Sequence, residues 1–316
     1  MNTPVLFIIF NRPDTTEKVF DEIRKIKPKY FYVAADGPRD NRHDDLVLCE
    51  KTRSIIEKID WDCELKTLFR ENNLGCRKAV SLAITWFFDN VEEGIILEDD
   101  CLPAQSFFGF CSMMLEKYRH DERIGHISGG NYQMGVSRGD GSYYFSWMTN
   151  VWGWASWRRI WKDFDVNIEK FPKFKELKYI ERMASHAPFK NSWLHAFEVH
   201  HQGWDSWDYQ YSFLNLINNR LSIIPNCNLV TNIGFDNEKA ATHFRANHPL
   251  ANIPLTEINL ANIKKTQPTF IVGDIEADIH FQLIEQNYLK KNLLSRLNRN
   301  IRYAIKQAFR GELILH

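Results

Sequence analysis

The 316-residue sequence has no CxxC pair among its six cysteines, which are scattered at Cys49, Cys63, Cys76, Cys101, Cys111 and Cys227. That spacing argues against a disulfide frame or a zinc site and reads as buried thiols in a reducing compartment. No run reaches the roughly 18 apolar residues of a spanning helix. The opening Met1-Asn2-Thr3-Pro4 has no basic n-region, and the apolar run after it ends at Asn11-Arg12. The expectation is cytoplasmic synthesis and retention. Neither sign of charge is in excess, with 40 basic and 40 acidic residues. No global basic field points to nucleic acid. There is no GxGxxG after the first apolar run, no GxxxxGK[ST], no HExxH and no GxSxG. Dehydrogenase, P-loop NTPase, zincin and serine-hydrolase readings lose their main support. No internal repeat or low-complexity tract is present.

What is there reads as a soluble globular chain, 44% hydrophobic and 25% charged. Its length suits one large domain or two small ones. Aromatics are abundant at 14%, for a large core or an aromatic-lined cleft. The first third alternates apolar runs with amphipathic stretches. Val5 to Phe10 has the continuous apolar pattern of a strand buried on both faces. A helix follows from Asp14, with Val19, Phe20, Ile23 and Ile26 at helical spacing. Tyr30 to Ala35 is a second strand ending at Asp36-Gly37-Pro38. Further strands are predicted over 65–69 and 94–97, with helices over about 45–59 and 77–88. Such alternation implies a mainly parallel sheet with right-handed crossovers. Ligands then bind beyond the carboxyl ends of the strands. Phe10-Asn11-Arg12, Asp36-Gly37 and Glu98-Asp99-Asp100 all fall at such ends.

Three adjacent acids at the end of a buried strand repel one another and resist burial without a partner. A hard divalent cation with oxygen ligands, Mn²⁺ or Mg²⁺, relieves that cost and shares its other positions with phosphates and water. An acidic surface turn is the plainer reading of the triplet.

The segment Ile95-Ile96-Leu97-Glu98-Asp99-Asp100-Cys101-Leu102-Pro103, followed by Phe107-Phe108, resembles the metal-binding segment of GT-A-fold glycosyltransferases. It is most similar to bacterial family-2-like sugar transferases and the N-acetylglucosaminyltransferase I type. The opening Pro4 to Pro13, Ala35-Asp36-Gly37-Pro38 and Asn73-Leu74-Gly75-Cys76-Arg77 resemble further segments of these enzymes in the same order. The resemblance spans roughly residues 4–245. It implies a nucleotide-diphospho-sugar transferase domain, Rossmann-like α/β with a mainly parallel central sheet, over 1–245. The nucleotide-binding half would be 1–130, the acceptor half 131–245, and 246–316 a helical C-terminal extension.

The same resemblance implies roles for individual residues. Asp100 would bind the metal, and Asp99 the ribose or the metal's support. Glu98 would face the donor sugar or a supporting partner. Asp36 would hydrogen-bond the base, while Phe10, Asn11, Arg12 and Arg77 would face the nucleotide or its diphosphate. Trp204-Asp205-Ser206-Trp207-Asp208 resembles the segment carrying the catalytic base. Asp208 is first choice and Asp205 second, and either also suits a cap of the helix that follows. Thr231 to Phe235 and Ala241 to Phe244 resemble a late segment in which a histidine, here His243, contacts the metal or the phosphates. The Trp-rich run 152–161 reads mainly as core, with a sugar-stacking wall as the sharper alternative. The QxxRW signature of processive enzymes is absent, which favours single-sugar transfer.

The implied function is metal-dependent, inverting transfer of one sugar from a nucleotide-sugar donor, UDP-sugar favoured, to a glycan or lipid-linked acceptor, in bacterial surface polysaccharide assembly. A sugar nucleotidyltransferase and a non-catalytic glycan-binding protein are the alternatives. From 289 to 310 the sequence carries seven basic residues, no acid and apolar residues at helical spacing. That pattern suits a membrane-surface helix, or equally a helix packed on the catalytic domain with a solvated basic face.

Overall fold

The structure, a computed structural model, describes residues 1–183, 187–235, 248–284 and 287. The strands are β1 (Val5–Ile9), β2 (Tyr30–Ala35), β3 (Glu64–Phe69), β4 (Glu93–Glu98), β5 (Cys101–Pro103), β6 (Ile124–Ser128), β7 (Tyr143–Ser146), β8 (Trp154–Trp157), β9 (Leu221–Pro225) and β10 (Val230–Asn232). The helices used below are α1 (Pro13–Ile26), α2 (Asp45–Ser54), α3 (Gly75–Asn90), α4 (Gln105–Lys117), α5 (Arg158–Trp161), α6 (Phe171–Glu176), α7 (Tyr179–Met183), α8 (Ala187–His201), α9 (Asp208–Ile217) and α10 (Leu260–Lys265).

Eight strands form one sheet in the order β3-β2-β1-β4-β8-β6-β9-β7. Its β3-β2-β1-β4 half is parallel throughout. β8 enters antiparallel to both neighbours, and β7 is antiparallel to β9. A separate pair, β10 with β5, is antiparallel. The chain is thus α/β with a large, mainly parallel, Rossmann-like sheet.

The strand order explains where a ligand can sit. From β1 the chain winds outward through β2 to β3, then crosses back to place β4 on the other side of β1. Crossovers are right-handed, so the reversal opens a crevice between the carboxyl ends of β1 and β4. Phe10-Asn11-Arg12 leaves one of these strands and Asp99-Asp100 leaves the other. The β1–β4 register pairs Ile8 with Glu98, which sets both segments at the same height.

β1 and the Ile95–Leu97 centre of β4 are apolar because helices cover both faces of the sheet. α3 packs on β1, β2 and β4, and α4 packs on β4, β6 and β8. Phe87 and Phe88 from α3 and Phe107, Phe108 and Phe110 from α4 are fully buried. Trp154, Trp157 and Trp161 are buried in the same core, so most of the Trp-rich run packs the interior.

Some expectations shift. Beyond α5 the chain forms three separate helices, α6, α7 and α8. Of the two strands between 221 and 232, β9 joins the large sheet and β10 pairs with β5. Residues 275–284 are helical, and Asp278 there accepts hydrogen bonds from Ser146 Oγ at 2.5 Å and Trp147 N at 3.1 Å. Part of the segment expected as a C-terminal extension, around Asp278, therefore packs on β7. The basic stretch 289–310 lies outside the described residues. Among the described residues no helix is long and apolar enough to cross a membrane.

Candidate functional site

A cleft of about 480 Å³ opens over the β1–β4 crevice. Its floor carries Phe10, Arg12, Asp36, Glu98, Asp99 and Asp100, and its far wall Asp205, Ser206 and Asp208. The volume suits a ligand larger than a single sugar.

Arg12 organises the floor. Pro13 opens α1 and leaves Arg12 at the cap position, outside the helix. From there its guanidinium donates at 2.8 Å to Asp100 Oδ2 and, through the other branch, to Asp99 Oδ1. Asp99 Oδ2 also accepts from Phe10 N at 3.2 Å. Burial opposes the charge on Arg12, but the two aspartates outweigh it and hold the guanidinium firmly protonated. One arginine among three acids leaves negative charge in excess. Burial first, then Asp100 and Asp99, push the Glu98 carboxyl up to about 8.

Gly234 closes this corner from β10. A Cβ there would lie 2.3 Å from Asp100 Oδ2 and 2.9 Å from Arg12 Nη1, so only glycine lets the backbone approach the pair. Among the described residues no three His, Cys, Asp or Glu side chains form a ready cation cage. Asp99 is 2% exposed and both its oxygens are engaged. Asp100 is the more open carboxylate, with Oδ1 accepting from Cys101 Sγ at 3.5 Å. Hard oxygen donors in excess of positive charge suit Mn²⁺ or Mg²⁺ held by one or two carboxylates, with phosphates completing the shell. His243 lies outside the described residues.

Asp36 lines the cleft at the end of β2, but its carboxylate is already engaged. It accepts from Asn73 Nδ2 at 2.9 Å, Leu74 N at 3.1 Å and Gly37 N at 3.0 Å. Burial raises this carboxyl against those bonds. Its first task is to hold the β2 turn against the start of α3.

Two residues expected at the nucleotide are elsewhere. Asn11 is buried and donates to Asp45 Oδ1 at 2.8 Å, beside the Arg39–Asp45 pair. Arg77 turns away to Val166 O at 2.6 Å and Asn167 Oδ1 at 3.1 Å, and does not line the cleft. Guanidiniums that sequence reasoning missed stand in the cleft instead. Arg39 lies over the Phe10 ring at 5.3 Å, and Arg70 faces Asp36. Arg39 sits in a polar loop and Arg70 just past a weak strand, where no motif marked them.

The far wall separates the two aspartates. Asp205 does not cap the helix that follows it. Its carboxylate accepts from Cys76 N at 3.2 Å and Arg77 N at 2.8 Å, capping α3. Asp208 opens α9, accepts from Ser206 Oγ, and faces the cleft. Beside it stands His200 from α8, with Nε2 at 4.0 Å from Asp208 Oδ1. Aromatic side chains line this end. Trp152 packs edge-on to Tyr132 and Phe235, and Trp204 is 60% exposed at the rim. Leu250 and Phe281, from beyond the expected boundary at 245, complete the wall.

No protein-family model matches the chain, and no curated protein matches it. Solved structures share part of the architecture. HddC from Yersinia pseudotuberculosis is 11% identical, with a TM-score of 0.33 over 54% of this chain and 86% of that one. A cytidylyltransferase from Leptospira borgpetersenii serovar Hardjo-bovis is 12% identical, with a TM-score of 0.34 over 58% and 71%. The apo form of a UDP-glucose pyrophosphorylase is 10% identical, with a TM-score of 0.35 over 71% and 90%. At these scores the likeness carries no argument about this chain.

Proposed function

We propose that the chain transfers a single sugar from a nucleoside diphosphate donor, UDP-sugar favoured, to a glycan or lipid-linked acceptor with inversion, aided by a divalent cation. One observation carries the reading. A single cleft holds an acid–arginine cluster suited to a diphosphate at one end and an accessible carboxylate, Asp208, at the other. Inverting transfer needs both, since one end takes the leaving diphosphate and the other takes the acceptor's proton.

Asp100 would hold the cation, with Asp99 as its support or a contact to the ribose, and the cation's chemistry is to neutralise charge developing on the departing diphosphate. Arg12 orients both carboxylates and contributes positive charge at the same place. Phe10 and Arg39 form a flat, cationic surface on the nucleoside side. Asp208 removes the acceptor proton. Trp152 and Trp204 offer faces on which a sugar ring can stack. Bacterial surface polysaccharide assembly is the setting that the sequence resemblance suggests, and that warrant is one of analogy.

A sugar nucleotidyltransferase is the competing reading. It uses the same kind of sheet and acids. Against it stands the segment after β1. Asn11-Arg12-Pro13-Asp14 lacks the glycine- and base-rich loop that cradles a triphosphate.

Thermal shift with UDP, GDP, CDP and dTDP, each with and without Mn²⁺, is the first test. Stabilisation by one nucleoside diphosphate only with Mn²⁺, lost in Asp100→Ala, supports sugar transfer. Product release then separates the two chemistries. A sugar transferase frees nucleoside diphosphate from a sugar nucleotide, whereas a nucleotidyltransferase frees pyrophosphate from a nucleoside triphosphate. Pyrophosphate release would overturn the proposal, and so would a protein stabilised by none of the four.

A further inference from the structure

His200 has no place in the motifs above, yet it lines the cleft beside Asp208 with one ring nitrogen unpartnered. It is 5% exposed, and its Nε2 has no hydrogen-bond partner. A buried imidazole nitrogen left open in this way is costly unless it has work to do.

The other ring nitrogen settles the tautomer. His200 Nδ1 lies 2.6 Å from the Ala196 carbonyl oxygen, one turn back in α8. A carbonyl only accepts, so Nδ1 carries the proton and neutral His200 presents a bare lone pair at Nε2. That lone pair faces Asp208 Oδ1 at 4.0 Å. Two acceptors cannot bond each other, and they stand about one ångström further apart than a charge-assisted hydrogen bond. A proton delivered between them removes the mismatch, because an Nε2–H can then donate to the carboxylate. The pair is built to receive one proton from the cleft.

We infer that His200 is the positioning and proton-holding partner of Asp208, so that the acceptor's proton is shared between Asp208 Oδ1 and His200 Nε2. The inference rests on the sugar-transfer reading. In that step the acceptor oxygen forms its bond to the anomeric carbon. The bond from that carbon to the donor phosphate oxygen breaks, and its electron pair leaves with the diphosphate. The acceptor's hydroxyl proton passes to Asp208 and on to Nε2, leaving an imidazolium beside a carboxylate. The surroundings favour that end state. Ser206 Oγ holds Asp208 Oδ1 from its own turn, and the Tyr209 ring packs on the imidazole at 4.8 Å. Asp208 itself is the carboxylate that an imidazolium at His200 would neutralise.

The test uses the full chain and ¹⁵N NMR of the His200 ring. In the neutral ring the expected tautomer is Nδ1–H with a bare Nε2, and finding the proton on Nε2 overturns the inference. Asp208→Asn is expected to move the His200 Nε2 resonance, because the group it faces is changed. An unmoved resonance also overturns it. Turnover is read as UDP release from UDP-hexoses with Mn²⁺. His200→Gln is expected to lower kcat roughly 10- to 100-fold with KM for the donor unchanged, and an unchanged kcat refutes the role. Equal thermal stabilisation of wild type and His200→Gln by UDP with Mn²⁺ checks that the variant is folded. If wild type releases no UDP, the sugar-transfer reading has failed, and the two NMR measurements still decide the pairing.

Discussion

Replacing Asp205 with alanine removes the cap from a helix that begins some 130 residues earlier in the chain. The carboxylate accepts from Cys76 N and Arg77 N, the second and third residues of α3. These amides have no partner within the helix. Leu74, at the cap position itself, supplies no side-chain acceptor. An N-cap is worth about 1 kcal/mol, and a negative charge at a helix N-terminus adds about 0.3–1 kcal/mol. The cap is exposed, so water partly replaces it, and the expected cost of Asp205→Ala is about 1–2 kcal/mol. For a chain of this size that lowers Tm by roughly 2–6 °C. Asp205→Asn keeps an acceptor oxygen and loses the charge, so about half the drop is expected. Thermal and urea unfolding followed by circular dichroism give both numbers. UDP release in the same samples tests the alternative assignment. Wild-type stability in Asp205→Ala refutes the cap, and wild-type stability with lost turnover would make Asp205 the base.

Other perturbations probe the floor of the cleft and its surroundings. In Gly234→Ala the new methyl collides with Asp100 Oδ2 and Arg12 Nη1. The Mn²⁺-dependent UDP shift should vanish while the circular dichroism spectrum is retained, and an intact shift would show that this corner does not bind. Asp45 is buried beside Arg39, which, with Asn11 adding to it, holds its carboxyl at about 2 in the folded chain. Because that is below the ordinary carboxylate value near 4, the pair stabilises the fold above pH ~4 and loses its contribution as pH falls toward 2. Asp45→Asn should therefore cost about 2 kcal/mol at neutral pH and flatten the stability profile between pH ~4 and ~2. Identical profiles for variant and wild type would refute it. Asp208→Asn should bind UDP with Mn²⁺ as wild type does and lose sugar transfer. Transfer at the normal rate would move the base elsewhere.

Much of the nucleotide side was legible in the sequence. The apolar runs of β1 and β4 marked strands covered on both faces, and the polar residues after them had to fall at one sheet edge. The acidic triplet was visible because three adjacent acids at a strand end are costly without a partner. Arg12 was singled out by its place after β1, although its two-pronged grip on Asp99 and Asp100 was not. The acceptor side was far less legible. Asp205 and Asp208 both read as caps or bases, since each lies near the start of one helix, and nothing local told them apart. His200 looked like one of 11 histidines. Arg77 resembled a nucleotide ligand because its neighbours did, yet its side chain leaves in the opposite direction.

The strand–helix alternation, the burial of β1 and β4 and the edge at which polar residues collect could all be read along the chain. These follow from periodicity and chain connectivity, which act over a few residues at a time. That Asp205 caps α3, that Asn11 serves Asp45 and that His200 meets Asp208 emerges only once distant elements pack together. Each of these is a hydrogen bond or charge contact between separate elements. Its energy depends on a few tenths of an ångström and on the direction of a lone pair, and no local pattern of residues encodes either.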